Sequence, residues 1–560
     1  MNKNMSDTLP VICENAGRTI EVAMGTTLLE VDRQLRLDGP HPFLAAYVNN
    51  RIKELNYRIY KPVTVRFIDI TSFEGIRVYQ RTISFILQKA VRELFPDRTL
   101  YIRHSLGASG FYCEISGFGP IPAEHLDAIK ARMRGIIDRN LPIQGVKMLT
   151  DTARKIYEGF GMADKIALLD SRPRLYSKIY TIDSLPGYFY GALTPSTGYT
   201  PQFDLHPYYN GFFIALRTDP TRLQQSVHQE KMFDVFHQYQ SWVEIMGVPT
   251  VGQLNSKVLA GDASELIKIA EAFHENKLAQ VAGCVAEANR ERGVRLVLIS
   301  GPSSSGKTTF AKRLGVQLRV LGLNPVLISL DDYFVDREKT PRDEKGEYDY
   351  EALEAIDLEQ FNDHLKRLER GESVDIPRYD FISGTRQWHD NPLQLDERSV
   401  LIVEGIHGLN PALTPGVPES RKFKIYVSCF TSVALDNVSR IATSDNRLLR
   451  RLTRDYRTRP FDARPLGKRP PGRGEAHLPL PGECRRDVQF VALLRNFGPA
   501  PLCRTDPAGS TRYGPRIRRG QTHAQVPRQL HPDLSRRDPA HVAPAGVHRR
   551  QQFQILIPNE

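Results

Sequence analysis

The sequence predicts an α/β protein in which an open parallel sheet follows two smaller mixed units, with a last stretch of about 100 residues that has no regular period. Three observations carry this. Residues 294–309, VRLVLISGPSSSGKTT, run from a β-branched apolar stretch into Gly301-x-x-x-x-Gly306-Lys307-Thr308 and then a helical pattern of Phe310, Leu314 and Leu318. A chain of 560 residues exceeds what one core usually supports, so further units must precede this one. After Arg459 the composition changes abruptly.

The glycine turn is the most informative element. Gly301 and Gly306 allow a loop whose backbone N–H groups, from Ser303, Ser304 and Ser305 onward, point at phosphate oxygens. The helix opening at Lys307, Thr308 and Thr309 adds its positive end, Lys307 reaches the β- and γ-phosphates, and the Thr308 hydroxyl suits Mg²⁺. ATP or GTP with Mg²⁺ is the expected ligand.

Two further strands supply the chemistry that a phosphate turn lacks. Val326–Leu330 ends in Asp331-Asp332-Tyr333-Phe334, and Ser399–Val403 ends in Glu404-Gly405. Ligands of an open parallel sheet sit outside the carboxyl ends of its strands, so Lys307, Asp331 and Glu404 are expected in one crevice. Phosphoryl transfer to a hydroxyl needs a carboxylate to orient or accept the proton and another to help hold Mg²⁺. Asp331 takes the first role and Glu404 the second. The plain alternative makes both residues turn formers and caps. Further on, Arg447, Arg450, Arg451 and Arg454 fall within a stripe of roughly 100° on a helix, suited to an anionic ligand.

From about residue 294 to 459 the chain resembles the uridine kinase branch of the P-loop kinases. The segments that carry the resemblance are SLDDYF (329–334), EYDYEALEAID (347–357), IPRYDFISGTR (376–386), VLIVEGIHGL (400–409) and DNRLLRRLTRD (445–455). It implies that Asp331 is the base on a ribose 5′-hydroxyl. It also implies that Tyr348, Asp349, Tyr379 and Phe381 shape a nucleoside pocket, and that Arg451 and Arg454 close over phosphates and base. Gly384 stands where the family often has a base-contacting histidine, so the base preference does not carry over.

Residues 1–72 alternate like a small β-rich unit and resemble the ubiquitin-like TGS domain, a β-grasp fold, at the front of threonyl-tRNA synthetases. Residues 73–225, through RTISFILQKAVRELFP (81–96), GFYCEI (110–115) and PSTGY (195–199), resemble the α+β editing-type domain that follows it there. That family's editing chemistry uses two histidines four apart on a helix, then a cysteine and a histidine four apart on a loop, a set suited to a metal or hydrolytic water. The matching positions here are Arg81, Phe85, Phe189 and Leu193. The fold is therefore expected without aminoacyl-tRNA hydrolysis, and tRNA or another RNA is a secondary candidate partner.

Residues 226–292 read as a helical connector, with Leu266, Ile269, Ala270, Phe273, Leu278, Val281 and Val285 at near-helical spacing over 262–291. His228, His237 and His274 lack metal spacing and are expected at the surface or in the core.

The last 100 residues hold 17 lysines and arginines against 8 acids, which is +9 of the chain's +12, and 14 of its 38 prolines. A disordered basic arm for nucleic acid fits such composition. The genetic code offers a sharper reading. Residues 481–494, PGECRRDVQFVALL, permit codons whose +1 frame reads QENADVMFNSSLF. Residues 466–480 and 530–553 likewise permit adjacent-frame strings with helical or strand patterning, balanced charge and a match to the C-terminal part of multidomain nucleoside kinases. Residues 460–560 are thus expected to be a frameshifted tail, with the slip near 456–464.

The start, MNKNMSDTLP, has no apolar signal core, and no apolar run approaches the roughly 18 residues that suggest a membrane span. Six scattered cysteines imply reduced thiols, and the expected compartment is the cytoplasm. The sequence thus predicts ATP- and Mg²⁺-dependent phosphorylation of a nucleoside 5′-hydroxyl, uridine or cytidine, with little or no activity from the polypeptide as printed. The alternatives are a P-loop kinase of another alcohol, such as ribulose phosphate or pantothenate, and an RNA-binding regulator that only senses nucleotide. Oligomeric state is not legible.

Overall fold

A computed structural model describes residues 8–458, apart from 38, 40, 106–109, 173, 217–229, 345, 389–391 and 430, together with two short strands further along. The front sheet comprises β1 (Thr8–Cys13), β2 (Arg18–Ala23), β3 (Ala45–Val48), β4 (Arg51–Lys53) and β5 (Val63–Ile68) in the order β2-β1-β5-β3-β4. Only the central β1–β5 pairing is parallel. Helix α1 (Leu28–Leu35) begins in a capping box in which Thr27 and Glu30 satisfy each other's backbone N–H groups. It buries Leu28, Val31 and Leu35 with Val11, Val65 and Phe67, a β-grasp arrangement.

Next come α2 (Phe73–Leu94), β6 (Leu100–Ser105), β7 (Gly110–Ile115), α3 (Ala123–Asp138), β8 (Ile143–Leu149), α4 (Thr150–Gly159) and α5 (Ala163–Asp170). They are followed by β9 (Tyr176–Ile182), β10 (Leu185–Gly187), β11 (Phe203–Tyr208) and β12 (Gly211–Leu216). The strands form two sheets, β11-β12-β7-β6 and β10-β9-β8, antiparallel throughout. Ser72 caps α2, whose Ile83, Phe85, Ile86 and Leu87 enter a core shared with α3 and both sheets.

Helices α6 (Glu230–Ile245), α7 (Val251–Leu259) and α8 (Ala263–Arg292) lead onward. In α8 the predicted stripe is buried at Leu266, Ala270, Leu278, Val281 and Val285, while Ile269 and Phe273 are half-buried. His274 belongs to that buried face and His237 is exposed; His228 lies outside the described residues. Gly293, at φ 62°, ends the helix in the left-handed conformation that favours glycine.

The last sheet has β13 (Leu296–Ser300), α9 (Lys307–Val320), β14 (Asn324–Ser329), α10 (Leu358–Glu369), β15 (Arg378–Asp380), β16 (Thr385–Gln387), β17 (Ser399–Glu404), β18 (Lys422–Tyr426) and α11 (Thr443–Thr458). Its strands run in the order β14-β17-β13-β18 and all its pairings are parallel, as expected for a strand–helix–strand succession. β13 and β17, central and fully buried, read as continuous apolar runs. β15 and β16 form a separate hairpin.

The segment after β18 does not stay with this sheet: Val433 joins the α6–α7 core and Val438 the α2–α3 core. The frameshift reading falls on residues outside the description, except for β19 (Gln489–Val491) and β20 (Gln554–Leu556), which pair antiparallel. Among the described residues no helix is long and apolar enough to cross a membrane, and Cys13, Cys113, Cys284 and Cys429 are free thiols.

Candidate functional site

The strand order makes the site. β14, β17 and β13 are neighbours, so the residues that follow them meet at one edge of the sheet. The turn after β13 closes onto the chain beyond β18: a Cβ at Gly301 would collide with the Val427 carbonyl oxygen, so only glycine lets the backbones approach. Ser304 at φ 62° and Gly306 at φ 106° turn the loop into α9, which opens at Lys307. Ser304 Oγ and Ser305 Oγ are buried without a hydrogen-bond partner in the protein.

Thr308 donates its hydroxyl to Glu404 Oε1 at 2.7 Å, and Ser329 donates to the same oxygen at 3.3 Å. The Asp331 N–H in turn donates to Ser329 Oγ at 3.4 Å, so this serine, which sequence reasoning missed, ties the end of β14 to the end of β17. Its signal was its place at the strand end two residues before Asp331. Glu404 is 7% exposed, and burial pushes its carboxyl up from the usual range. Lys307 and the Thr308 hydroxyl pull it back, while Asp331 pushes it further up. Glu404 thus lies within electrostatic reach of both Lys307 and Asp331. Asp331 is exposed.

A hydroxyl and a carboxylate beside phosphate-facing N–H groups fit Mg²⁺, which prefers few protein oxygens plus phosphates and water. Among the described residues no cluster of three or more His, Cys, Asp or Glu side chains could hold a metal ion, so this would be a sparse site. Thr309 lies one residue deeper in α9.

Phe334, three residues after Asp331, belongs to an aromatic cluster. Tyr379 and Phe381 rings stand 5.1 Å apart, and Phe334 lies 5.7 Å from Tyr379 and 6.2 Å from Phe381. Phe381 remains 45% exposed. Tyr348 lies 6.2 Å from Tyr350 with the Arg342 guanidinium above its ring. Asp349 accepts from the Glu351 N–H at 2.9 Å.

Gly384 sits at φ 76°, and a Cβ there would stand 2.6 Å from Arg337 Cζ. Arg337 fills this corner, donating to the Phe381 carbonyl at 2.8 Å and the Tyr350 hydroxyl at 3.3 Å. The motif comparison singled out the glycine but gave no sign of the arginine.

Helix α11 lies against the glycine turn. Arg447 Nε donates to the Ser303 carbonyl and Arg450 Nε to the Ser304 carbonyl, each at 3.0 Å. Arg451 is half-buried on the same helix, and the side chain of Arg454 lies outside the described residues. Arg447 and Arg450, two members of the predicted stripe, thus hydrogen-bond the turn.

The four positions matched to the editing constellation also meet. Phe85 and Phe189 rings are 5.1 Å apart, Leu193 is buried, and Arg81 Nε donates to the Ala192 carbonyl at 3.0 Å. His104 and Cys113 are buried elsewhere; burial pushes the imidazole pKa down and the thiol pKa up, so both stay neutral.

The parallel sheet, the glycine turn and the strand-end carboxylates define a P-loop kinase fold. The family model for "Phosphoribulokinase / Uridine kinase family" matches residues 296–464. Uridine kinase of Staphylococcus aureus (strain JH9) is 32% identical over 168 residues, 30% of this chain and 72% of that protein. This chain belongs to the phosphoribulokinase/uridine kinase family. Threonine–tRNA ligase of Clostridium kluyveri is 28% identical over 157 residues, 28% of this chain, and the chain spans only 24% of that relative's length. A solved structure described as a possible uridine kinase from Bacillus stearothermophilus is 24% identical, covering 28% of this chain and 81% of its own, with a TM-score of 0.24.

Proposed function

We propose that the chain transfers the γ-phosphoryl group of ATP, with Mg²⁺, to the 5′-hydroxyl of a nucleoside, uridine or cytidine first. The observation that supports this is Glu404 at the end of β17, which accepts from Thr308 and feels both Lys307 and Asp331 at the ends of the adjacent strands. Lys307 and the backbone N–H groups of the turn would hold the phosphates, and Thr308 with Glu404 would hold Mg²⁺, which would offset phosphate charge. Asp331 orients the acceptor hydroxyl and takes its proton as the phosphorus–oxygen bond forms. Tyr379, Phe381, Tyr348 and Asp349 shape the acceptor pocket, while Arg451 and Arg454, with Arg447 and Arg450 beside the turn, draw in the phosphates. The whole operates in the cytoplasm.

The units are residues 1–72, 73–225, 226–292 and 293–459, followed by a frameshifted 460–560. The printed polypeptide then lacks the segments that complete the nucleotide site. Coupled ADP release with uridine, cytidine, ribulose 5-phosphate and pantothenate, from the printed chain and from one read in the adjacent frame after residue 460, tests the reading. Acceptor-dependent ADP release by the second chain with a nucleoside supports it; release only with another alcohol replaces the acceptor. Nucleotide binding without release leaves the sensor, whose RNA partner a salt-sensitive gel shift with tRNA would reveal.

A further inference from the structure

The segment between β18 and α11 leaves the kinase sheet after Val427, and from Val433 onward it is held by elements that precede that sheet. Ala434 exchanges backbone hydrogen bonds with Pro249 and Val251, forming a parallel bridge beside α7. Asp436, fully buried, pairs at 3.0 Å with Lys165 of α5, which is 1% exposed. The Asn437 N–H donates to Asp164 at 2.9 Å, and the Ile102 N–H of β6 donates to the Asn437 carbonyl at 2.8 Å. At the start of α11, Arg77 of α2 meets Asp445 at 2.6 Å and donates to the Ser444 hydroxyl at 3.3 Å. One turn later, Arg447 and Arg450 rest on the Ser303 and Ser304 carbonyls of the phosphate turn.

The helix that closes on the phosphate turn therefore takes its place from α2 and α5 as well as from its own sheet. Helix α2 is also the helix that carries Arg81 and Phe85, the positions at which the editing chemistry is lost. A unit emptied of that chemistry keeps its fold when another site depends on its shape.

We propose that the α+β unit around α2 and α5 is the seat of the phosphate-facing arginine helix, and that Arg77 is a positioning residue for nucleotide binding. This rests on the nucleotide-binding reading of the P-loop. Arg77 touches no nucleotide; it acts through Asp445 on the direction of α11. The Lys165–Asp436 pair contributes to the same seat, but breaking a buried pair endangers folding, so Arg77 is the better probe.

The experiment uses the full chain with Arg77→Asp, Asp445→Arg and the double exchange. Two quantities are read: the Kd for ATP·Mg²⁺, and amide hydrogen exchange over residues 446–452 without nucleotide. Each single reversal is expected to weaken ATP binding about three- to tenfold and to speed exchange in α11, and the double exchange to restore both. Unchanged affinity and exchange in Arg77→Asp, or a double exchange no better than the singles, overturns the proposal. If the parent chain binds no ATP, the nucleotide reading fails by itself, and the exchange arm still decides whether α2 seats α11.

Discussion

Phe85 on α2 and Phe189 on the loop after β10 stand with ring centroids 5.1 Å apart, at two of the four positions where the editing domains that this unit resembles carry metal- or water-binding side chains. The pair turns a polar site into apolar core, and Gly187 beside it has no room for a Cβ, which would lie 2.7 Å from the Phe85 ring. Phe85→Ala is expected to destabilise the chain by about 3–5 kcal/mol, the usual cost of emptying a buried phenylalanine site. Chemical denaturation measures it.

The same plug predicts no hydrolysis of aminoacyl-tRNA. A deacylase assay on the chain should match the buffer blank. Activity that disappears in His104→Ala or Cys113→Ala would show that a different set of residues had taken over.

Asp331 and Lys307 separate chemistry from binding. Asp331→Asn should lower kcat about 10²- to 10⁴-fold with the Kd for ATP·Mg²⁺ nearly unchanged, whereas Lys307→Ala should weaken nucleotide binding itself. Equal loss of affinity in both variants would remove Asp331 from the proton-transfer role.

Glu404 gives the site a pH dependence with a definite sign. Burial raises its pKa, so as pH falls the carboxylate is lost sooner than an ordinary glutamate would be, and Mg²⁺-dependent ATP affinity should fall in that range. Stability without metal runs the other way: a raised folded-state pKa contributes stability on the acid side that is lost as pH rises through it. Glu404→Gln should flatten both profiles, read by titration calorimetry and by thermal melting across pH.

Arg337 fills the corner at Gly384 and braces the Phe381 carbonyl, so it is expected to set the shape of the acceptor pocket. Arg337→Ala should raise KM for the acceptor about three- to tenfold, roughly the net worth of one ordinary hydrogen bond, with KM for ATP unaffected. A change confined to ATP would place Arg337 with the nucleotide instead.

The phosphate turn and the strand-end acids were legible because each is local: a β-branched run, a glycine pattern and a carboxylate fall within a few residues of one another, and strand order then brings them together. The buried stripe of α8 was legible for the same reason. Arg337 was not, because its place follows from the positive φ of Gly384 and a folded-back loop. The seating of residues 433–445 was hidden more completely. Asn437 and Asp164 meet across 273 positions, and neither belongs to a periodic pattern. A stripe of arginines on α11 could be read from spacing, but the hydrogen bonds of Arg447 and Arg450 to the turn depend on how the helix is held.

The most direct test of the account begins with sequencing the gene across codons 450–470, followed by the coupled assay with uridine and cytidine on the chain read in the adjacent frame. Nucleoside-dependent ADP release from that chain, abolished by Asp331→Asn and nearly absent from the printed chain, is the predicted result. A chain in the restored frame that binds ATP but releases no ADP with any nucleoside, or a printed chain that turns over normally, would contradict it.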